Sequence, residues 1–284
     1  MSDAAQPGVA LPRIRRARDF RLYTGDGRRL LDLYLDGGAA LLGHRPALLG
    51  RELKNVLGRG LLGNLPSVHG ARLVRVLHRL LPEHRWFGVA ASAEAAWRLL
   101  HGRVEGMPES PVQAADPLRD AGWRDAPVAW WRPLCEPQPL GGAWLEHGPA
   151  ALLHRLPFRI GAGPVTVSTR APGDPGAAQQ AGASSVSPLL LSGAAAALGR
   201  LARDAPQRLA AAAHWPTQLG AWRRSGIYLV ADYPRRLHAG VHAAFLDAGV
   251  LLNPCHRGPN ILPGSASPGE WRLLKRLFAA HPGA

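Results

Sequence analysis

The sequence predicts an α/β protein, because apolar segments of strand length alternate with amphipathic helical segments. Residues 20–34 predict a β-hairpin, since two apolar segments flank Gly25-Asp26-Gly27, whose residues tolerate the positive φ angles of a tight turn. Residues 47–62 and 71–81 place apolar side chains at intervals of three and four, which is typical of helices that pack on one face. Strand-like and helical segments alternate again over residues 226–280.

The middle of the chain predicts strands less regularly. Residues 86–90 (Trp-Phe-Gly-Val-Ala) predict a buried strand, and residues 128–131 and 165–168 predict two more. Residues 145–156 predict a short helix. Proline and glycine interrupt almost every other candidate element between residues 104 and 182, so repeated strand–helix units are not visible there.

The C-terminal part has clearer signals. Residues 226–230 and 249–254 predict strands, with a helix over 238–246 between them. Ser267 is a good helix N-cap, and Glu270 follows three residues later, which is the spacing of a capping box. A closing helix is therefore expected after Ser267.

The composition limits the possible environments. A chain of 284 residues can bury one large core or two modest ones. Cys135 and Cys255 are the only cysteines and form no CxxC pair, so we expect a protein of the reducing cytoplasm and not a disulfide scaffold. No apolar run reaches the length of a membrane span, and the N-terminus lacks the apolar core of a signal peptide, so no membrane association is expected.

The chain is strongly basic, with a formal net charge of +14. Such a charge is the electrostatic signature of nucleic-acid binding when it is clustered. Here 32 of the 34 basic residues are arginines scattered through every segment, which favours a compositional origin. The one dense cluster comprises Arg13, Arg15, Arg16 and Arg18, and we interpret it as a solvated leader. Nucleic acid is therefore a less favoured partner.

The stretch from Asp19 to Pro46 carries a family resemblance. It orders a hairpin with an Asp-Gly turn, a second strand containing Arg, Leu and Asp, a small-residue loop, and Leu-Leu-Gly-His-Arg-Pro. This order resembles the N-terminal segment of class III aminotransferases, pyridoxal-phosphate enzymes of fold type I that include glutamate-1-semialdehyde aminomutase. Residues 180–189 followed by an Ala-rich helix over 190–203 resemble a later segment of the aminomutases, and the C-terminal order of elements is also similar.

The resemblance implies the PLP-dependent transferase fold of type I. Its large domain would be shortened, and a small α+β domain would form from the N- and C-terminal segments. The implied division is an N-terminal segment over residues 1–66, a shortened large domain over 67–215 and a small domain over 216–284. It also implies a dimer, because the family's N-terminal segment and the helices after its phosphate turn pack across a two-fold axis.

The resemblance also implies where a cofactor site would lie, and this chain departs from the pattern there. The family's phosphate turn has the form Ser-Gly-Ser/Thr-Glu-Ala, whereas this chain has Ala91, Ser92, Ala93 and Glu94, followed by Ala95. Both flanking hydroxyls are replaced by alanine, and the glycine by serine. A threonine that reaches the partner subunit's phosphate in the family is matched here by Ala183. We expect a degenerate phosphate site.

No Schiff-base lysine is expected. The chain has only Lys54 and Lys275, both in predicted helices far in sequence from where the family places its lysine. The family's carboxylate against the pyridine nitrogen and its ring-stacking Tyr-His-Gly turn are also missing. His238 and His242 have metal-ligand spacing without an evident third ligand, and adjacent Cys255-His256 seldom orient as a nucleophile and base. We therefore predict no catalytic residue, no metal and only a vestigial pyridoxal-phosphate site.

The preferred functional hypothesis is a non-catalytic homologue of class III aminotransferases. It would act as a structural or regulatory subunit, as a homodimer or as a heterodimer with a class III aminotransferase. One alternative is an active enzyme of the same fold that works without the usual lysine, using histidine or a pyridoxamine-phosphate type of chemistry. The other is an arginine-rich nucleic-acid-binding protein.

Overall fold

The computed structural model describes residues 9, 11–63, 65–135, 148–160, 163–170 and 186–280. The chain divides into two compact units. We call Met1–Pro46 with Pro206–Ala284 the terminal unit, and Ala47–Ala205 the central unit. The sequence predicts domain boundaries after residues 66 and 215, whereas the compact units have their boundaries after residues 46 and 205.

The first sheet of the terminal unit contains the predicted hairpin. Its strands have the order β1-β2-β3-β11 and are Ile14–Arg18 (β1), Arg21–Thr24 (β2), Arg29–Asp32 (β3) and Val250–Leu251 (β11). β2 and β3 pair antiparallel with Leu22 opposite Leu30, so the hairpin prediction is confirmed. Thr24 closes the turn, because its Oγ1 accepts a hydrogen bond from the backbone N–H of Arg28 at 2.9 Å.

The second sheet of the terminal unit is antiparallel, in the order β12-β10-β9-β8. Its strands are Gln218–Leu219 (β8), Trp222–Ser225 (β9), Tyr228–Ala231 (β10) and Asn260–Ile261 (β12). Two helices of this unit are His238–Asp247 (α5) and Pro268–Ala280 (α6). Trp222, Phe245 and Phe278 are fully buried, and their ring centroids lie 5.2 to 6.0 Å apart. This aromatic group forms part of the core of the unit.

The central unit is built on one sheet in the order β4-β7-β6-β5, in which β5 and β6 run parallel and the other pairs antiparallel. The strands are Trp86–Ala90 (β4), Val128–Trp131 (β5), Ala151–Ile160 (β6) and Gly163–Thr169 (β7). The helices are Ala47–Gly58 (α1), Val68–Leu80 (α2), Ala93–Leu100 (α3) and Pro188–Ala213 (α4), whose last turns lie beyond the unit's boundary. The predicted strands at 86–90, 128–131 and 165–168 are confirmed.

The short helix predicted over residues 145–156 is wrong where the structure describes it. β6 begins at Ala151, and residues 145–147 lie outside the described part of the chain. Leu152 and Leu153 contribute to two different hydrophobic clusters, one on each face of the sheet. A strand buried on both faces is a continuous apolar run, which periodicity cannot distinguish from a buried helix.

The central unit has helices packed on both faces of its sheet, one hydrophobic cluster on each face. On one face of the sheet, α2 and α4 contribute buried residues such as Leu77 and Leu198. On the other face, α3 contributes Trp97 and Leu100. Among the described helices, none is both long and apolar enough to cross a lipid bilayer.

Candidate functional site

The predicted phosphate turn connects β4 to α3 in the central unit. Ser92 is the N-cap of α3, because its Oγ accepts a hydrogen bond from the backbone N–H of Ala95 at 3.2 Å. Ala91 is exposed and Ala93 is half-buried, and neither side chain can donate or accept a hydrogen bond. The only hydroxyl of the turn therefore already serves the helix.

Glu94 adds a negative charge at the same helix end. Hydrogen bonds from its own backbone N–H and from Ser92 hold the pKa of this exposed carboxylate below its usual value. A carboxylate in the first turn of a helix interacts favourably with the helix dipole.

Neither lysine lies in a buried pocket. Lys54 is on the exposed face of α1. Lys275 is exposed on α6, with its ammonium group 5.9 Å from the ring centroid of Trp215. A lysine that forms Schiff bases is usually desolvated or placed beside another cation. Ala183, the predicted cross-dimer position, lies outside the described residues.

The Leu-Leu-Gly-His motif has a structural role that the sequence pattern alone did not reveal. Asp32, at the end of β3, is buried, and its Oδ1 accepts hydrogen bonds from the backbone N–H groups of Tyr34 and Leu35 at 2.8 and 3.0 Å. His44 Nε2 donates to Asp32 Oδ2 at 2.8 Å, and the backbone of His44 pairs with Asp19. The carboxylate thus holds together both ends of the loop that follows the hairpin.

The predicted histidine pair belongs to a buried network in the terminal unit. Tyr233 Oη donates to His238 Nδ1 at 2.9 Å, and His238 Nε2 donates to the carbonyl of Asn253 at 3.0 Å. Burial lowers the pKa of His238 to about 4 and raises the pKa of Tyr233. Both ring nitrogens of His238 are occupied, although the ring of His242 lies only 6.2 Å away, centroid to centroid. The geometry suits a neutral structural histidine.

His256 joins the same network. Its Nε2 donates to the carbonyl of Tyr233 at 2.7 Å, and its ring lies edge-on to the Tyr233 ring. The neighbouring Cys255 is half-buried, and its backbone N–H donates to Asn253 Oδ1 at 2.9 Å. Within the described ranges, no group of three or more His, Cys, Asp or Glu side chains is arranged to hold a metal ion.

A second pair of buried histidines lies in the central unit and was not predicted. His154 Nδ1 is 2.8 Å from Thr166 Oγ1, and its Nε2 is 3.0 Å from Ser168 Oγ. Burial lowers the pKa of His154 well below its usual value, and burial together with the charge of Arg170 lowers the pKa of His84 to about 4. Both histidines are fully buried, so they are neutral core residues at pH 7.

The chain is similar in sequence to a protein of Treponema pallidum. No protein-family model matches the chain. An uncharacterized protein of Treponema pallidum (strain Nichols) is 30% identical over 278 residues, an alignment that covers 88% of this chain and 89% of that protein.

Solved structures with a similar fold include aminotransferases and an aminomutase. The N-acetylornithine aminotransferase of Stenotrophomonas maltophilia K279a superposes with a TM-score of 0.64 over 96% of both chains, at 18% identity. A glutamate-1-semialdehyde aminomutase of Pseudomonas aeruginosa PAO1 superposes with a TM-score of 0.60 over 95% of this chain and 87% of its own, at 16% identity. The chain therefore belongs to the same family as the Treponema pallidum protein, and its fold is that of the class III pyridoxal-phosphate-dependent aminotransferases.

Proposed function

We propose that this chain is a non-catalytic member of the class III aminotransferase fold that acts as a structural or regulatory subunit. The observation that carries the proposal is the position of the lysines. The whole chain has only Lys54 and Lys275, and both are exposed on helices. A fold-type-I enzyme holds its cofactor through a lysine, and neither residue provides the desolvated setting that such a lysine needs.

The phosphate turn supports the same proposal. The residues present do not fit a phosphate group held by side-chain hydroxyls, since Ser92 caps α3 and the side chains of its neighbours Ala91 and Ala93 have no donor. In this proposal the site is vestigial, and no pyridoxal phosphate is required for the chain to act.

The remaining task in this proposal is association, either with a second copy or with a class III aminotransferase. The connection between α1 and α2, together with the helix ends on either side of it, exposes four large apolar side chains, and we call this segment the apolar loop. Its members are Leu57, Leu62, Leu65 and Val68, with exposed fractions of 47%, 60%, 64% and 75%. Large exposed apolar patches are rare on monomers and usually mark an interface. The two free cysteines are compatible with the cytoplasmic location that we propose.

The lack of a cofactor lysine is tested by chemical trapping. The purified chain is incubated with pyridoxal phosphate, reduced with borohydride and mapped by peptide mass spectrometry. We expect only partial, non-selective labelling, because exposed lysines react weakly and without site preference. The K54R and K275R single variants identify the source of any label, and an active class III aminotransferase serves as the positive control. Stoichiometric labelling of one lysine would contradict the proposal.

Association is tested by light scattering coupled to size exclusion at low micromolar concentration. We expect a particle of twice the 30.3 kDa chain mass. The double variant L62S/L65S should shift the particle towards the monomer, because it removes exposed apolar area from the apolar loop. Val112 is also exposed (50%), so V112S is a matched control that should leave the mass unchanged. A wild-type chain that stays monomeric and folded would argue against self-association.

A further inference from the structure

A large groove on the central unit has no role in the function proposed above. It lies between α2 and α4 and has a volume of about 880 Å³. Its apolar lining includes Val74, Phe87, Ala195, Ala196 and Gly199. Five arginines also line it, namely Arg72, Arg75, Arg79, Arg85 and Arg203. We call this feature the arginine groove.

Among the described residues, most arginines of the groove have no carboxylate partner. Arg72 forms an ion pair with Glu52, and the nearby Arg200 forms one with Asp204 at 2.7 Å. In the described parts of the chain, no carboxylate lies within ion-pair distance of the other four arginines of the groove. These four side chains are exposed, so they are available to an incoming negative charge.

Three of the arginines lie along one face of α2. Arg72, Arg75 and Arg79 occupy positions i, i+3 and i+7 of α2, which lie on one helix face over a length of about 10 Å. On α4, Gly199 and Arg203 show the same kind of spacing, four residues apart on one face. Positive groups that extend over two helical turns match a row of anionic groups better than they match a single phosphate.

The apolar lining narrows the choice of ligand further. Duplex DNA presents phosphates, but its backbone has no apolar face to cover Leu48, Val74 and Gly199, the half-buried apolar residues of the lining. A second copy docked symmetrically through this groove would bring the same five arginines against it, so like charges would face each other at this surface. An amphipathic helix with an apolar stripe and acidic flanks satisfies both the lining and the arginines, and a groove between two helices is a common site for such a ligand.

We infer that the arginine groove docks an acidic amphipathic helix of a partner polypeptide. The small side chains of α4 allow the docked helix to approach closely, and the arginines of α2 pair with its acidic flank. The inference goes beyond the proposed function, since it concerns a different surface from the apolar loop. It would hold whether or not the chain is catalytic.

Fluorescence anisotropy with defined probes tests this inference. The main probe is a fluorescein-labelled 18-residue peptide with a leucine stripe at helical spacing and glutamates on both sides of it. Two control peptides have the same stripe with lysines in place of the glutamates, or the same composition in scrambled order. A labelled 18-base-pair DNA duplex is the fourth probe. All are measured with the full-length chain at 150 mM NaCl.

Two pairs of variants separate specific docking from general charge attraction. R75E/R79E reverses two charges of the groove, and R272E/R276E makes the same change in net charge on the exposed face of α6. G199F fills the groove and G50F is its control, because a Cβ atom at either glycine meets no atom within 4 Å. Circular dichroism and light scattering verify that each variant keeps its fold and oligomeric state.

We expect the acidic helical peptide to bind at least tenfold more tightly than either control peptide. R75E/R79E and G199F should each weaken this binding about tenfold or more, whereas R272E/R276E and G50F should change it less than twofold. Equal binding of the scrambled peptide would refute recognition of a helix. Equal weakening by R75E/R79E and R272E/R276E, or tighter binding of the DNA duplex that G199F does not change, would refute the groove as a peptide site. The oligomeric state is measured separately, so a failure here leaves the proposed function standing.

Discussion

Replacing Glu270 by glutamine removes a buried charge from the terminal unit. Glu270 lies in the first turn of α6, and its side chain is only 10% exposed. Arg21 of β2 donates from Nε to Oε1 at 2.8 Å and from Nη2 to Oε2, and the backbone N–H of Ser267 donates to Oε2 at 2.7 Å. The carboxylate therefore connects the N-terminal hairpin to the last helix across 249 positions of sequence.

The pKa of Glu270 indicates how much the charge contributes. Burial alone would raise this pKa, but the hydrogen bonds from Arg21 and Ser267 outweigh burial and lower it from 4.5 to about 2. That difference corresponds to roughly 3 kcal/mol of preference for the charged form in the folded protein. Glutamine keeps the shape but not the charge, and it leaves Arg21, 18% exposed, without its closest counter-charge. We expect E270Q to lower the free energy of unfolding of the terminal unit by about 2–3 kcal/mol at pH 7.

Urea denaturation combined with hydrogen exchange of peptides from β2 and α6 measures this loss in the correct unit. S267A keeps the ion pair but removes the N-cap hydroxyl, so it should cost about 1 kcal/mol. E105Q changes an exposed carboxylate and should stay within about 0.5 kcal/mol of the wild type.

The pH dependence has a definite sign. A carboxylate whose pKa is lower in the folded state stabilises the protein fully above its unfolded pKa, and this contribution is lost as pH falls. The gap between the wild type and E270Q should therefore narrow as pH falls from 4.5 towards 2. A loss below about 1 kcal/mol at pH 7, or a gap that does not change with pH, would refute the reasoning.

Two further predictions concern other described residues. His84 and His238 are buried in the neutral form, and the pKa of each is about 4 instead of the usual 6.5. The unfolded chain therefore binds protons more readily than the folded protein as pH falls from 6.5 towards 4. Over that range each histidine should lower the free energy of unfolding by up to about 3 kcal/mol. A urea midpoint that stays constant between pH 7.5 and 4.5 would contradict this. S92A should lower the free energy of unfolding of the central unit by about 1 kcal/mol because α3 loses its N-cap, and S92D should restore most of it. Equal stability of S92A and the wild type in the same assay would count against that role.

The features that the sequence predicted well depend on residues only a few positions apart. The hairpin over residues 20–34 follows from two apolar segments and a Gly-Asp-Gly turn, and the structure pairs β2 with β3 as expected. The capping box is equally local, since Ser267 Oγ accepts from the backbone N–H of Glu270 at 3.2 Å and Glu270 Oε2 accepts from that of Ser267. The lysine count is a property of the sequence that no folding can change.

Other features depend on which distant segments pack together, and the sequence could not decide them. The residues around Leu152 form a strand because their neighbours are buried on both faces of the sheet, and an apolar run looks the same in a helix. The second partner of Glu270 is Arg21, which no local pattern connects to it. The arginines of α2 are visible as a stripe, but the groove exists only because α4 lies opposite them. Local spacing thus determined the elements, whereas tertiary packing decided the ion pairs and the groove, because those depend on contacts between residues far apart in the chain.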